Sequence, residues 1–353
     1  MVSIKKRDTR MAVMTLKFLF PLVIGVIIGS SAVLTMFPFE PSCTTPLLPQ
    51  ALQDTWKTPM LPVMKSIYEG WHPIYVYYGN NNAGLSASAP AQMKQHYNAG
   101  SQVDQDRIIT TLVKSYHALI KSTSTSPYFI DLAANDAVQL SNTLNLEKNG
   151  WAGLCVEPNP SYWYRLAHRK CTIAAAFVGG AEDLQQVDVS LNNEEYGGII
   201  GEGMDNSKEG ENKHDVSEKD KPKEEKRYTV SMRTLLNQFN VPLNIDYMSL
   251  DVEGAEELIM HYFPFSKYTI RFMTVERPKP GLQELLKANG FQFVMMLVFW
   301  GETLWVHESV VNSGMGIESI QELVHSVSRF SKKPFKKGQM IFNMDTGEYL
   351  RKI

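Results

Sequence analysis

Apolar runs that end at acidic residues recur along the chain and predict the parallel strands of an α/β fold. Within residues 128–160 the pattern reads as strand, turn, helix and strand, at 128–130, 133–135, 136–148 and 154–156. The first strand ends at Asp131 and the second at Glu157, where Pro158 prevents its continuation. Ligands of open parallel sheets bind beyond the carboxyl ends of the strands. The segment therefore predicts half of a nucleotide-binding βαβ unit, with Glu157 placed to accept hydrogen bonds from the hydroxyls of a ribose.

The turn after the first strand argues against a dinucleotide. Residues 131–136 read Asp-Leu-Ala-Ala-Asn-Asp and lack the glycines of the G-x-G-x-x-G pattern that brings the backbone close to a pyrophosphate. Asp136 adds a further negative charge, which disfavours a diphosphate. A cofactor that has a ribose and a cationic centre but no phosphate suits this turn better. We therefore predict S-adenosylmethionine as the cofactor.

A second block repeats the arrangement of strand and acid. Residues 245–256 form an apolar strand that delivers Asp251 and Glu253, and Gly254 then opens a helix. A further buried strand is predicted at 269–275, and two final strands, 291–300 and 303–307, are joined by Gly301-Glu302, which is typical of a hairpin. The predicted fold class is α/β, with a doubly wound Rossmann-like methyltransferase sheet that ends in an antiparallel hairpin.

Taken in order, these blocks resemble the FkbM-type methyltransferases. The residues that carry the resemblance are Ser101–Asp106, the turn at 131–136, Val-Glu-Pro-Asn-Pro at 156–160, Asp-Val-Glu-Gly-Ala-Glu at 251–256 and the hairpin near 298–307. The resemblance covers roughly residues 101–310 apart from one insertion, and it implies an S-adenosylmethionine-dependent enzyme that methylates hydroxyl groups. The family usually has glycine where Ala133 and Ala137 stand, and alanine disfavours the positive φ that glycine tolerates.

Site residues follow from the strand ends and from this resemblance. We predict that the cofactor is bound by Asp131, Ala133, Asn135, Glu157 and Asn159. The catalytic candidates are Asp251, Glu253 and His261. Asp251 could instead cap the following helix. Asp251, Glu253 and Glu276 could together hold a divalent cation, because hard cations prefer oxygen ligands, but we assign no metal site.

The N-terminus predicts a membrane anchor. Phe18–Phe37 is a run of 20 residues without a charge, which is about the length that crosses a bilayer. Basic residues precede the run and Glu40 is the first charge after it, so the N-terminus is expected in the cytoplasm and the rest in the lumen of the endoplasmic reticulum or Golgi. The alternative is a cleaved signal peptide. No N-glycosylation acceptor occurs in the chain.

Composition sets the domain organisation. The net charge of −2 gives no basic excess, so nucleic acid is not expected as a partner. The predicted segments are a cytoplasmic tail (1–17), the anchor (18–37), a lumenal stem (38–100), the methyltransferase domain (101–310) and a C-terminal helix and tail (311–353). Residues 205–227 hold fifteen charged residues and are predicted to be a flexible insertion.

Cysteine usage leaves one question open. The chain has three cysteines, and Cys155 and Cys171 fall in strands that should be neighbours. They could form a disulfide in an oxidising lumen or remain buried as plain apolar side chains. Cys43 should lie just outside the membrane.

The leading functional hypothesis is a single-pass, lumenal S-adenosylmethionine-dependent O-methyltransferase. Its acceptor would be a small-molecule or glycan hydroxyl, and the compartment favours a glycan. The alternative is a catalytically inactive methyltransferase fold that serves as a binding or trafficking protein in the secretory pathway. The four acids at 131, 157, 251 and 253 argue against this alternative, because a scaffold has no need for four carboxylates on one rim.

Overall fold

The computed structural model describes residues 60–63, 74–77, 100–122, 126–191, 197–201, 204–205, 224–331, 336 and 338–351. The predicted cytoplasmic tail and anchor (1–37), most of the stem and most of the charged insertion lie outside the described residues. Among the described helices, none has both the length and the apolar character needed to cross a membrane.

Seventeen strands and eight helices are described. The strands are β1 (Met60–Val63), β2 (Ile74–Tyr77), β3 (Gly100–Ser101), β4 (Tyr128–Leu132), β5 (Gln139–Leu140), β6 (Ala152–Val156), β7 (Thr172–Ala175), β8 (Phe177–Gly179), β9 (Gln186–Ser190), β10 (Gly198–Ile199), β11 (Glu224–Ser231), β12 (Asn244–Leu250), β13 (Thr269–Glu276), β14 (Phe291–Met296), β15 (Glu302–His307), β16 (Met340–Asn343) and β17 (Glu348–Arg351). The helices are α1 (Gln105–Leu119), α2 (Leu144–Lys148), α3 (Pro160–Leu166), α4 (Met232–Gln238), α5 (Glu256–His261), α6 (Pro280–Ala288), α7 (Glu308–Val311) and α8 (Ile317–Val327).

The largest sheet fits a methyltransferase fold. Its nine strands lie in the order β1-β2-β7-β6-β4-β12-β13-β15-β14. The five strands from β7 to β13 are parallel, whereas β15 is antiparallel to both β13 and β14. The predicted sheet with a terminal antiparallel hairpin is therefore confirmed. The strand order reverses between β4 and β12, and such a reversal opens a crevice for ligands at the carboxyl ends of the two strands.

The central strands are buried from their second residue to their last. In β4 and β12 consecutive residues are buried instead of alternating ones, as expected for parallel strands that are covered on both faces. Close packing within the sheet requires glycine at one position. Gly153 in β6 pairs with Phe129 in β4, and a Cβ atom at Gly153 would lie 2.3 Å from the Phe129 ring.

The helix predicted over 136–148 is much shorter in the structure. Only α2 (Leu144–Lys148) is helical, and the residues before it form a loop that contains β5. The reason is Asp136, whose Oδ1 accepts hydrogen bonds from the backbone N–H groups of Val138 and Gln139, both at 2.8 Å. Such an Asx turn competes with helix formation. Leu140 then adopts a left-handed φ of 57°, and β5 pairs with β3.

The loop of the terminal hairpin is also longer than predicted. The predicted strands 291–300 and 303–307 are in fact Phe291–Met296 and Glu302–His307. Five residues, 297–301, connect them, so the prediction of a two-residue turn is wrong. The loop closes through a hydrogen bond from the Leu297 N–H to the Glu302 carbonyl (2.7 Å) and through Gly301, whose φ is 109°.

Both ends of the predicted flexible insertion are ordered. Asp205 forms ion pairs with Arg277 (3.0 Å) and Lys279 (3.2 Å). At the other end, residues 224–227 belong to β11, which pairs with β9 in a second sheet of order β10-β9-β11-β8. The predicted limits of 205–227 are therefore too wide, because charged residues also occupy exposed strand positions and ion pairs.

Cys155 and Cys171 form a disulfide. Their Cα atoms are 6.0 Å apart, and the bond joins β6 to the residue that immediately precedes β7. Of the two options that the sequence left open, the structure shows the covalent one. Cys43 lies outside the described residues.

Candidate active site

Four neighbouring strands deliver acidic side chains to one edge of the main sheet. Asp131, Glu157, Asp251 and Glu276 stand at or just beyond the carboxyl ends of β4, β6, β12 and β13, and all four line one pocket. Seven of the eight predicted site residues line this pocket, namely Asp131, Ala133, Asn135, Glu157, Asn159, Asp251 and Glu253. Among the described residues that line it, none is Lys, Arg or His. The pocket therefore suits a neutral or cationic ligand.

The turn after β4 keeps a glycine-like backbone without glycine. Ala133 has a φ of 60° and Asn135 a φ of 51°, so alanine does occupy the left-handed region here. Two hydrogen bonds hold the turn: the Ala134 N–H donates to the Val156 carbonyl (3.0 Å), and the Asn135 N–H donates to Glu157 (2.7 Å). A left-handed alanine costs about 1–2 kcal/mol. Ala137 is fully buried and does not have a positive φ.

Glu157 is fixed by the backbone on both sides. Its two carboxylate oxygens accept hydrogen bonds from the N–H groups of Asn135 and Asn159, each at 2.7 Å. Burial raises the pKa of Glu157 to about 7, although these two hydrogen bonds act in the opposite direction. A carboxylate has about four lone-pair sites, so acceptor capacity remains for a ligand.

Asn159 lines the pocket and also caps a helix. Its Oδ1 accepts a hydrogen bond from the Ser161 N–H at 3.0 Å and so caps α3. Its backbone N–H orients Glu157. The structure thus places Asn159 at the pocket while its side chain caps a helix.

Asp131 is buried among hydrogen-bond donors. The Thr143 hydroxyl donates to its Oδ2 at 2.5 Å, and Ser249 is its partner in the β4–β12 ladder. Arg169, which is fully buried, donates to Thr143 Oγ1 (2.9 Å) and pairs with Glu147 (2.6 Å). Burial raises the pKa of Asp131, and the Arg169 charge partly offsets this effect.

Asp251, Glu253 and Glu276 form an acidic cluster on the other side of the pocket. Oxygen atoms from all three lie within 4.8 Å of one another, and this spacing could also hold a cation. Burial and then the charge of Glu276 raise the pKa of Asp251 well above its usual range. Burial raises the pKa of Glu253 to about 7, although Arg277, at 3.0 Å, opposes the increase.

The alternative role of Asp251 as a helix cap is not what the structure shows. Helix α5 begins at Glu256, and its N-cap residue is Ala255. The Glu256 carboxylate itself accepts hydrogen bonds from the N–H groups of Val252 (3.0 Å) and Gly254 (3.1 Å). Asp251 is left free of capping, and its Oδ1 is buried without a hydrogen-bond partner among the described residues.

His261 is separated from this cluster. It lies at the exposed C-terminal end of α5, where its ring packs against Tyr262 with a centroid distance of 4.9 Å. It lines a different groove, together with Lys279 and Leu282. The structure therefore does not bring His261 to the pocket of the other predicted residues, because the short helix directs its last turn away from the strand ends.

Sequence reasoning missed several residues of the site. Gln105 and Asn142 line the pocket, and buried Glu302 interacts electrostatically with Glu276, which also lines it. Burial and the nearby Glu276 raise the pKa of Glu302 to about 8. Gln105 belongs to the block at 101–106 that carried the family resemblance, so that block could have identified it. Asn142 lies in the loop that was predicted as helix.

Comparison with known families agrees with this geometry. Residues 131–298 match the model of the methyltransferase FkbM domain. The match begins at Asp131 and contains seven of the residues that line the pocket as predicted. The predicted resemblance is confirmed over these residues. No curated protein matches the chain in sequence.

Proposed function

Because residues 131–298 carry a methyltransferase FkbM domain, we propose that the protein is an S-adenosylmethionine-dependent O-methyltransferase. The observation that supports this proposal most strongly is the single pocket that brings together the acids from four strand ends. The donor set fits the cofactor, since it offers a buried carboxylate for a ribose, further carboxylates for a cationic group and, among the described lining residues, no basic side chain for a phosphate.

The cofactor, when bound, supplies the methyl group, and the side chains of the chain position and deprotonate the acceptor. Glu157 would accept hydrogen bonds from the ribose hydroxyls, and Asp131 would bind the amino-acid portion. Asp251 and Glu253 line the same pocket just beyond β12 and would face the acceptor. A hydroxyl is weakly acidic, so a carboxylate with a raised pKa is a better proton acceptor than an ordinary one.

Arg277 holds the acidic cluster in place. Its guanidinium group contacts Asp205 (3.0 Å), Glu253 (3.0 Å) and Glu276 (2.5 Å). These three contacts fix the direction of Glu253 and pair the Arg277 guanidinium with carboxylates. Among the described residues that line the pocket, no Lys, Arg or His is present to pair with an anionic acceptor, whereas carboxylates and amides can hydrogen-bond a neutral hydroxyl. This supports a neutral acceptor such as an uncharged glycan.

The oxidising compartment is part of the proposal. Disulfides persist in secreted proteins and in the lumen of the endoplasmic reticulum, and Cys155 and Cys171 are bonded. The uncharged run at 18–37 would anchor the catalytic domain to the membrane with its N-terminus in the cytoplasm.

Transfer of a radiolabelled methyl group from S-adenosylmethionine to a panel of neutral glycans tests this function. In the full-length protein, Asp251→Asn and Glu253→Gln are assayed separately. Loss of the general base should reduce kcat by about 10²–10⁴-fold and leave cofactor affinity unchanged. Glu284→Gln, on an exposed position of α6, is the matched control and should keep full activity. Wild-type protein that binds no cofactor and methylates nothing would favour the binding or trafficking role instead.

A further inference from the structure

Asn142 has an unusual set of contacts within the pocket. It lies in the loop between β5 and α2 and lines the pocket together with Asp131. Its Nδ2 donates a hydrogen bond to Ser249 Oγ at 2.9 Å. Its Oδ1 is buried and has no hydrogen-bond partner among the described residues. Buried polar atoms nearly always have such a partner, so this acceptor requires an explanation.

One hydrogen bond shows which end of the Asn142 amide faces Ser249. Ser249 is the ladder partner of Asp131, and its Oγ accepts the hydrogen bond from Asn142 Nδ2. The Asn142 amide therefore presents its NH₂ group to Ser249. The Oδ1 atom is consequently directed away from Ser249.

The position of Asn142 selects the ligand group that can reach it. The hydrogen-bond donors of S-adenosylmethionine are the ribose hydroxyls, the adenine amino group and the α-ammonium group. In the proposed function the ribose hydroxyls bind Glu157. Asn142 hydrogen-bonds to Ser249, the ladder partner of Asp131, and so lies on the side assigned to the amino-acid portion. An ammonium group placed there would satisfy Oδ1 and would meet the Asp131 carboxylate.

We propose that Asn142 is a cofactor-binding residue whose Oδ1 accepts a hydrogen bond from the α-ammonium group of S-adenosylmethionine. This inference rests on the proposed function. Asn142 then acts with Asp131 as the recognition element for the amino-acid end of the cofactor, while Ser249 orients the Asn142 amide. The loop 141–143 thus contributes to cofactor selection.

Two ligands separate this role from a structural one. S-adenosylmethionine has the amino-acid end, whereas 5′-methylthioadenosine has the same adenosine and sulfur but lacks that end. Calorimetric titration of both into full-length Asn142→Leu is compared with the wild type. Removal of a hydrogen bond to a charged group should weaken S-adenosylmethionine binding by about 10- to 100-fold. The dissociation constant of 5′-methylthioadenosine should not change.

The outcomes distinguish the inference from the proposed function. A variant that binds both ligands like the wild type, or that loses affinity for both equally, overturns the role of Asn142. Wild-type protein that binds neither ligand overturns the proposed function and the inference with it. If the variant does not fold, the wild type alone decides, by titration with an S-adenosylhomocysteine analogue that lacks the amino group. S-adenosylhomocysteine itself should bind about 10- to 100-fold more tightly than the analogue without the amino group. Equal affinities of the two compounds would overturn the inference.

Discussion

Removal of the Thr143 hydroxyl should remove a hydrogen bond to Asp131 without altering the shape of the core. Thr143 is fully buried, donates to Asp131 Oδ2 at 2.5 Å and accepts from Arg169 Nη2 at 2.9 Å. Valine has nearly the same shape but no hydroxyl. Arg169 keeps its contacts with Glu147 (2.6 Å) and Ser141 (2.9 Å), so the guanidinium remains paired in Thr143→Val.

The expected loss of stability follows from the charge of the hydrogen-bond acceptor, Asp131. A hydrogen bond to a charged group contributes about 1.5–3 kcal/mol, so Thr143→Val should lower the free energy of unfolding by about this amount where Asp131 is ionised. The pKa of Asp131, already raised by burial, should rise further because the lost hydrogen bond favoured the ionised form. The other charged groups near Asp131 are Arg169, Glu147 and Glu157, and they are unchanged in the variant.

The contribution of Asp131 to stability depends on pH with a definite sign. A carboxyl group whose pKa is higher in the folded state than in the unfolded state holds its proton more tightly when folded. Its contribution therefore favours folding at low pH and is lost as the pH rises from the unfolded pKa, 3.8, to the raised folded pKa of Asp131. In Thr143→Val this window should extend to higher pH.

Carboxyl NMR titration of the apo protein measures the pKa directly, with Asp131→Asn to assign the resonance, and urea denaturation measures stability. Thr143→Ser, which restores a hydroxyl, should recover the wild-type pKa. An unchanged pKa of Asp131 in Thr143→Val would refute the role of this hydrogen bond.

Three further changes have defined outcomes. Ala133→Gly should raise the free energy of unfolding by about 1 kcal/mol, since relief of the left-handed strain exceeds the entropy that glycine adds to the unfolded chain; urea denaturation that shows a loss would contradict this. Replacement of Cys155 and Cys171 by alanine should cost about 3 kcal/mol by the loop-entropy relation, and equal stability of the two proteins would count against it. Affinity for S-adenosylmethionine should fall as the pH drops below about 7, because Glu157 then becomes protonated. Calorimetry at several pH values should show no such step in Glu157→Gln.

The grouping of the acids at the strand ends was predictable from the geometry of parallel sheets. Parallel strands that alternate with crossovers bring their carboxyl ends to one edge, so Asp131, Glu157 and Asp251 could be grouped from the sequence alone. All three line the same pocket. The apolar runs before these acids are long enough to identify as buried strands, and the sheet topology followed from their order.

The remaining contacts depend on tertiary structure that a linear pattern does not contain. Residues 136–143 have the length of a helix, but the Asp136 side chain competes for the backbone N–H groups and creates a loop. That loop brings Asn142 to the pocket and Thr143 to Asp131. Arg169 reaches Thr143 across 26 residues of sequence. His261 shows the reverse case, since a histidine near the acids in sequence lies in a separate groove.

Binding of S-adenosylmethionine at Glu157 is measured most directly by calorimetric titration into the full-length protein in detergent micelles. The wild type should bind the cofactor, Glu157→Gln should bind at least about tenfold more weakly, and Glu284→Gln should bind like the wild type. A folded wild-type protein that gives no heat of binding, with or without Mg²⁺, or a Glu157→Gln variant with unchanged affinity, would contradict the proposed cofactor site.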